Sequence, residues 1–440
     1  MQVVRMIHLH RQLDLSIRGG QVMRRRDFLR GVSAAAVAGG TLSIRELLAL
    51  EAPQLRRRGR ACILLWMQGG PSQFETFSPK PGHANGGETK AIATAVPGIQ
   101  ISENFPKVGD QLQHLAIVRS MTSKEGSHPR ATYLLHTGYL PTASVKYPAL
   151  GSIAARELTS AQLAQSALEL PAFVRVGNVQ NGSGGGLLGS EFDPFVMPVA
   201  GKLPANTTPM TPVDRFERRL DLTARLESDF AQQSAHEVDD HQKLYRKAAR
   251  MIQSPQMKSF DLAQEPESVR TAYGSSQFAL GCLLARRLVE AGVTFVEVIS
   301  DGWDTHADNF GTTKRLSAGV DQPFAALLAD LAARGLLDST LVVWMGEFGR
   351  TPKINPRGGR DHFPRAFNVA LAGGGVRGGQ VIGQTDAGGI EVTERPIRVP
   401  DLFQSICQGL AIDPAKENMS GIGRPIKLVD GGQPIENLFG

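Results

Sequence analysis

"VTFVEVISDGWDTHADN", residues 293–309, carries a short run rich in β-branched residues straight into a polar loop that holds Asp301, Asp304, His306 and Asp308. A run of this length and composition predicts a buried strand. The same step, from apolar run to polar loop, occurs three more times. "ACILLWM" (61–67) leads into Gln68-Gly69-Gly70-Pro71-Ser72 and then Glu75. "HLAIVRSM" (114–121) leads into a segment with Ser127, His128, Arg130 and His136. "STLVVWMG" (339–346) leads into "GEFGRTPKINPRGGRDH" (346–362), which holds Glu347, Arg350, Asp361 and His362.

Further strands are expected at "AFVRVG" (172–177) and "AFNVALAG" (366–373). Helical spacing marks 130–139, 145–159, a charge-dense stretch over 211–252, one helix from Glu267 to Ala291, 321–336 and 399–412. Strands alternating with helices predict an α/β fold with a mostly parallel sheet covered on both faces. In such sheets functional loops lie beyond the C-terminal strand ends. The four polar loops therefore converge on one edge, and residues 61–440 read as one domain with a helical insertion at about 205–265.

Of the 440 residues, 41% are hydrophobic and 20% charged, which suits a soluble globular protein. The net charge of +6 is misleading as a whole-chain property. Residues 1–60 hold 12 Lys and Arg against 4 Asp and Glu, and the other 380 residues hold 36 against 38. The basic character belongs to the leader, so the body has no nucleic-acid signature. Within that leader "MRRRDFLRGVSAAAVAGGTLSI" (23–44) has paired arginines, Phe28-Leu29-Arg30 and a weakly apolar stretch. This resembles a twin-arginine export signal, with Met23 as an alternative start. It implies passage through the twin-arginine machinery to the periplasm or exterior, and an uncleaved leader would anchor the protein to the membrane. Cys62, Cys282 and Cys407 are odd in number and widely spaced, so buried free thiols are expected rather than a disulfide framework.

The edge loops gather carboxylates and histidines, the composition of a mixed oxygen and nitrogen metal site. Individually, each has a plainer reading. Asp301 and Asp304 fit turns and helix caps, Glu347 could pair with Arg350, and His136 on its helix suits the core. His83 and His114 lie off the pattern and read as structural or surface residues.

"GGPSQFETFSPKP", "SHPRATYLLHTGY", "DGWDTHADN", "GEFGRTP" and "GRDHFP" together resemble the bacterial family named domain of unknown function 1501, which is similar to the alkaline phosphatase and sulfatase superfamily. That resemblance implies a three-layer α/β/α sandwich and one or two divalent metals, with zinc, manganese, calcium and magnesium all open. Asp304, His306 and His362 would hold one metal, and Glu347 and Glu75 would serve a second. Gln68 stands where an acid is expected and Phe348 where a histidine is. "SHPRATYLLHTG" echoes the sulfatase nucleophile region but has no cysteine, which excludes modified-cysteine chemistry. Ser127 or His128 would occupy the nucleophile position, with His128 as base, ligand or acid. Arg130 and Arg350 would hold substrate oxygens, and Asp301 and Asp361 would orient ligands from behind.

The expectation is an exported metal-dependent hydrolase of phosphate or sulfate esters, acting on an anionic small molecule or polysaccharide ester. The alternative is a non-catalytic exported binding protein that keeps the fold and one structural metal.

Overall fold

A computed structural model describes residues 59–440, apart from 163–167, 204–206, 208–210, 232–234 and 422. The twin-arginine pattern and Met23 lie outside the described residues. The main sheet is built from β1 (Ala61–Met67), β2 (Leu115–Thr122), β3 (Phe173–Val176), β4 (Phe195–Met197), β5 (Phe295–Ser300), β6 (Thr340–Met345), β7 (Phe367–Ala372), β8 (Gln380–Ile382) and β9 (Ile397–Arg398). Across the sheet the order is β8-β2-β7-β6-β1-β5-β3-β4, with β9 also pairing with β2.

β1 lies parallel to β5 and β6, with Trp66 opposite Ile299 on one side and Met345 on the other. β7 is antiparallel to both neighbours, β2 and β6. Two reversals restore direction, so β1, β2, β5 and β6 all end on the same edge, and β7 begins there. The fold is thus α/β with a mostly parallel sheet.

Alternation along β1 explains the layers. Ile63, Leu65 and Met67 point into one core, and Cys62, Leu64 and Trp66 into the other. The first core is closed by α5 (Gln277–Glu290) and α6 (Asn309–Ala333). The second is closed by α2 (Leu150–Gln162) and α7 (Val399–Leu410), behind α1 (His128–Thr137). These layers give the expected three-layer sandwich. Every residue of β1 is buried, and each large apolar side chain there contributes about 1.5–3 kcal/mol. All three cysteines are free and buried. Burial raises their thiol pKa values, that of Cys407 to about 12, so they are inert packing groups.

Three boundaries differ from the sequence reading. The helix expected at 321–336 starts at Asn309, with Pro323 inside it; Asp321-Gln322-Pro323 has the composition of a helix start and hides the polar turns before it. The helix expected from Glu267 to Ala291 is broken at Gly274, whose φ of 100° suits glycine. It restarts behind Ser276, whose side chain accepts from the Ala279 backbone N–H. The charge-dense stretch is two helices, α3 (Val213–Ala231) and α4 (Ala235–Gln253), packed on one another.

Candidate metal centre

α1 begins directly at the site. Ser127 is its N-cap, and Pro129 occupies the first turn, where a missing N–H costs nothing. His128 is thereby set at the helix start, over the sheet edge. The loop 346–362 closes on itself: Arg350 pairs with His362 and Gly349 with Phe363 in a short antiparallel ladder. This closure carries His362 back beside the end of β6. The loop after β5 delivers Asp304 and His306.

Four side chains meet there. Asp304 Oδ1 lies 3.4 Å from His128 Nε2, 3.1 Å from His306 Nε2 and 3.4 Å from His362 Nε2. The Nε2 atoms of His306 and His362 are 3.0 Å apart. Ligand atoms of His128, Asp304 and His362 all fall within 4.8 Å of one another. The other ring nitrogen of each histidine faces an acceptor. His128 Nδ1 is 2.6 Å from Glu347 Oε1, His306 Nδ1 is 2.8 Å from Asp361 Oδ1, and His362 Nδ1 is 2.8 Å from the Gly126 carbonyl. With those acceptors Nδ1 donates and Nε2 carries the lone pair; all three Nε2 atoms lie within 3.4 Å of Asp304 Oδ1, and those of His306 and His362 face one another.

Three inward lone pairs repel unless a cation shares them. His128 Nε2 is buried without a hydrogen-bond partner. A tetrahedral centre with metal–nitrogen bonds of about 2.0–2.1 Å keeps its ligand atoms about 3.3 Å apart, and the three separations from Asp304 Oδ1 and the one between His306 and His362 lie near that value. The donors fit a metal, and three imidazoles with one carboxylate suit a first-row transition ion better than calcium or magnesium.

Charge is distributed around this centre. Burial opposes ionisation of Asp304, but the charge and hydrogen bond of Arg350, with His128 and His306 adding to them, hold its carboxyl below the usual range. Burial also opposes protonation of His128, and the Glu347 hydrogen bond and charge, with Asp304, outweigh it, so that this ring titrates above an ordinary histidine. Burial leads in pulling His362 down, and nearby His128 and Arg350 reinforce it. Phe348, itself buried, packs its ring 4.8 Å from that of His128 and 4.7 Å from that of His362. It forms the apolar wall of the cluster.

The remaining expected residues take other places. Glu347 stands behind His128 and accepts the Gly69 backbone N–H at 2.9 Å through the same oxygen. Glu75 is away from the cluster, fully buried and paired at 2.8 Å with Arg360. Arg350 is fully buried and committed to the carbonyls of Gly69, Gly70 and Arg360 and to Asp304, so its fork braces the loops instead of facing a substrate. Arg130 points outward and pairs with Glu125. Asp301 accepts from Gln68 Nε2 at 2.9 Å, while Gln68 Oε1 accepts the Gln180 N–H. Ser127 is exposed, with no capping bond from its side chain. His136 is buried, its ring between the Thr132 carbonyl and Glu297.

Two further residues matter that were not expected at the site: Asn355, outside the family motifs, and Arg360, inside the GRDHFP stretch. Asn355 bridges His306 and Asp361, donating to the carbonyl of the first at 3.0 Å and the carboxylate of the second at 3.3 Å. Arg360 is buried beneath the loop, with its side chain on Glu75 and the Thr351, Pro352 and Asn85 carbonyls. The only hint of either in the sequence is the Asn-Pro turn and the run of charge inside 355–362.

No curated protein matches the chain. Among solved structures, it is similar to a sulfatase from Pseudoalteromonas sp., at 14% identity and a TM-score of 0.38 over 91% of this chain and 75% of that one. It is also similar to the lipoteichoic acid synthase of Listeria monocytogenes, at 9% identity and TM-score 0.37 over 81% and 73% of the two chains. A protein in the alkaline phosphatase superfamily from Vibrio parahaemolyticus aligns at 10% identity and TM-score 0.32 over 90% and 77%. The model of the family described as protein of unknown function (DUF1501) matches residues 59–439, and the chain belongs to that family.

Proposed function

We propose that this protein is an exported metal-dependent hydrolase of phosphate or sulfate esters, with one divalent transition ion held by His128, Asp304, His306 and His362. The observation that carries the proposal is the convergence of three Nε2 atoms on Asp304 Oδ1, each ring turned inward by an acceptor on its far nitrogen. Such acceptors fix the tautomer and orientation of metal-ligating histidines. When bound, the ion would polarise an ester oxygen and acidify a water.

The chain's own groups define the rest. Glu347 and Asp361 keep the protons of His128 and His306 on Nδ1. Phe348 keeps water from one side. Ser127, exposed and adjacent to His128, is the candidate nucleophile; Thr305, between Asp304 and His306, is buried and donates its hydroxyl to Asn309. Twin-arginine export, to the periplasm or exterior, belongs to the same proposal; in a host lacking that transporter the protein should remain in the cytoplasm.

One observation favours the non-catalytic alternative: Arg350, Glu75 and Gln68, all expected near substrate or a second metal, are locked in internal bonds. Screening aryl phosphate and aryl sulfate esters with the metal-loaded protein decides between them. Turnover that stops with chelator and in His306→Ala supports the hydrolase. Bound metal without turnover on any ester supports the binder.

A further inference from the structure

His362 lines a second feature, an open groove of about 770 Å³. Its apolar walls include Pro352, Phe363 and Pro364, and its rim carries Lys124, Lys353 and Arg365. All three cations are exposed. Among the described residues none of them has an acidic partner, and no residue lining the groove is acidic. Arg365 stacks its guanidinium 5.0 Å from the Phe363 ring centre, which holds it over the groove. Thr351, Ser123 and Asn85 supply neutral polar groups on the same lining.

Unpaired cations of one sign around a concave site concentrate anions. Most basic groups elsewhere near the site are already spent: Arg350 on Asp304, Arg360 on Glu75 and Arg130 on Glu125. The groove's three are not. His362 itself lines the groove, so a molecule on its apolar wall lies beside the cluster.

We propose that this groove is a subsite for a second anionic group, so that the substrate class is a polyanion, such as a multiply sulfated or phosphorylated saccharide, and not a simple monoester. Apolar walls accept the ring face, and Lys124, Lys353 and Arg365 take the charged substituents. This rests on the metal-centre reading above for what happens at the other end, but the binding itself does not.

The test uses the full chain loaded with zinc and two probes, sucrose octasulfate and inorganic phosphate, measured by calorimetry. The triple variant Lys124→Ala, Lys353→Ala, Arg365→Ala should bind octasulfate at least about tenfold more weakly, with the wild-type affinity falling steeply as salt rises. Its phosphate affinity and metal content should match wild type, because neither draws on the groove. Charge reversal at one position, Lys353→Glu, should weaken octasulfate in the same direction and guards against a folding artefact in the triple variant. Octasulfate affinity unchanged in both variants, or no binding to wild type, overturns the subsite. If no ester is turned over but octasulfate binding is lost in the variants, the subsite stands and only the hydrolase reading falls.

Discussion

His128 and Glu347 meet at 2.6 Å through Nδ1 and Oε1, so the first residue of α1 and the first carboxylate after β6 form one unit. The same Glu347 oxygen takes the Gly69 N–H, which ties in the turn after β1. Three loops are thus joined behind a single imidazole, leaving its Nε2 facing Asp304. In the proposed metal centre this carboxylate supports a ligand and is not itself part of the convergent set.

Glu347→Gln should therefore keep the fold and weaken the metal. The amide preserves shape and one acceptor but removes the charge that holds the ring. Loss of such a partner costs about 10–100-fold in metal affinity. Competition against a chromophoric chelator measures this; affinity equal to wild type would contradict the supporting role.

Gly69 sits at φ 112°, and a Cβ there would run into the Asp304 backbone nitrogen and come within 2.8 Å of the Trp303 carbonyl carbon. Gly69→Ala should therefore displace Asp304, lowering metal affinity at least about tenfold and stability by roughly 1–3 kcal/mol. A chelator titration and a urea melt read the two effects separately. A variant with normal metal affinity would show that Asp304 does not need this close approach.

Glu75 and Arg360 are both fully buried and paired. Glu75→Ala leaves a guanidinium charge in the interior and should cost about 3–5 kcal/mol by denaturant unfolding. The metal site should survive in the folded fraction, since Glu75 does not reach the cluster. Metal stoichiometry that falls in the conservative Glu75→Gln variant, at unchanged stability, would restore Glu75 as a ligand.

Glu297 offers a pH signature away from the metal. Burial opposes its charge, but Arg175 and His136 outweigh burial and bring its pKa down to about 2. Its folded value lies below its unfolded one, so it adds stability that is fully present above the ordinary carboxylate range and is lost as pH falls through about 4.5 to about 2. The contribution is on the order of 3 kcal/mol. Stability measured across that window should fall less steeply in Glu297→Gln. An identical slope would remove Glu297 from the acid response.

What was legible in the sequence follows the physics of each signal. β1 and β6 are buried on both faces and read as apolar runs, β5 does so apart from the buried Glu297, and the polar loops after them stand out by contrast. Parallel strands end on one edge, so the loops that hold Asp304, His306 and His362 are expected together, while their grouping as the ligands of one metal is what the family resemblance implies. The antiparallel course of β7 leaves no trace in the sequence, since β7, buried on both faces, is as apolar as the parallel strands of the sheet. His128 was open between base, ligand and acid; only its 2.6 Å bond to Glu347 shows which nitrogen faces the cluster. Glu75 and Arg350 looked like ligand and substrate clamp because a buried ion pair uses the same residue types as a site. The Gly126 carbonyl acts through the backbone, and the Asn355 side chain reaches His306 and Asp361 only because the loop folds back, neither of which residue type encodes.

The most direct test is the metal content of the purified full chain by mass spectrometry, compared with His362→Ala and Asp304→Ala. A single equivalent of a transition ion is expected in the wild type, lost in both variants, with folding retained by circular dichroism. A wild type that takes up no metal on reconstitution, or variants that keep a full equivalent, would contradict the proposed metal centre.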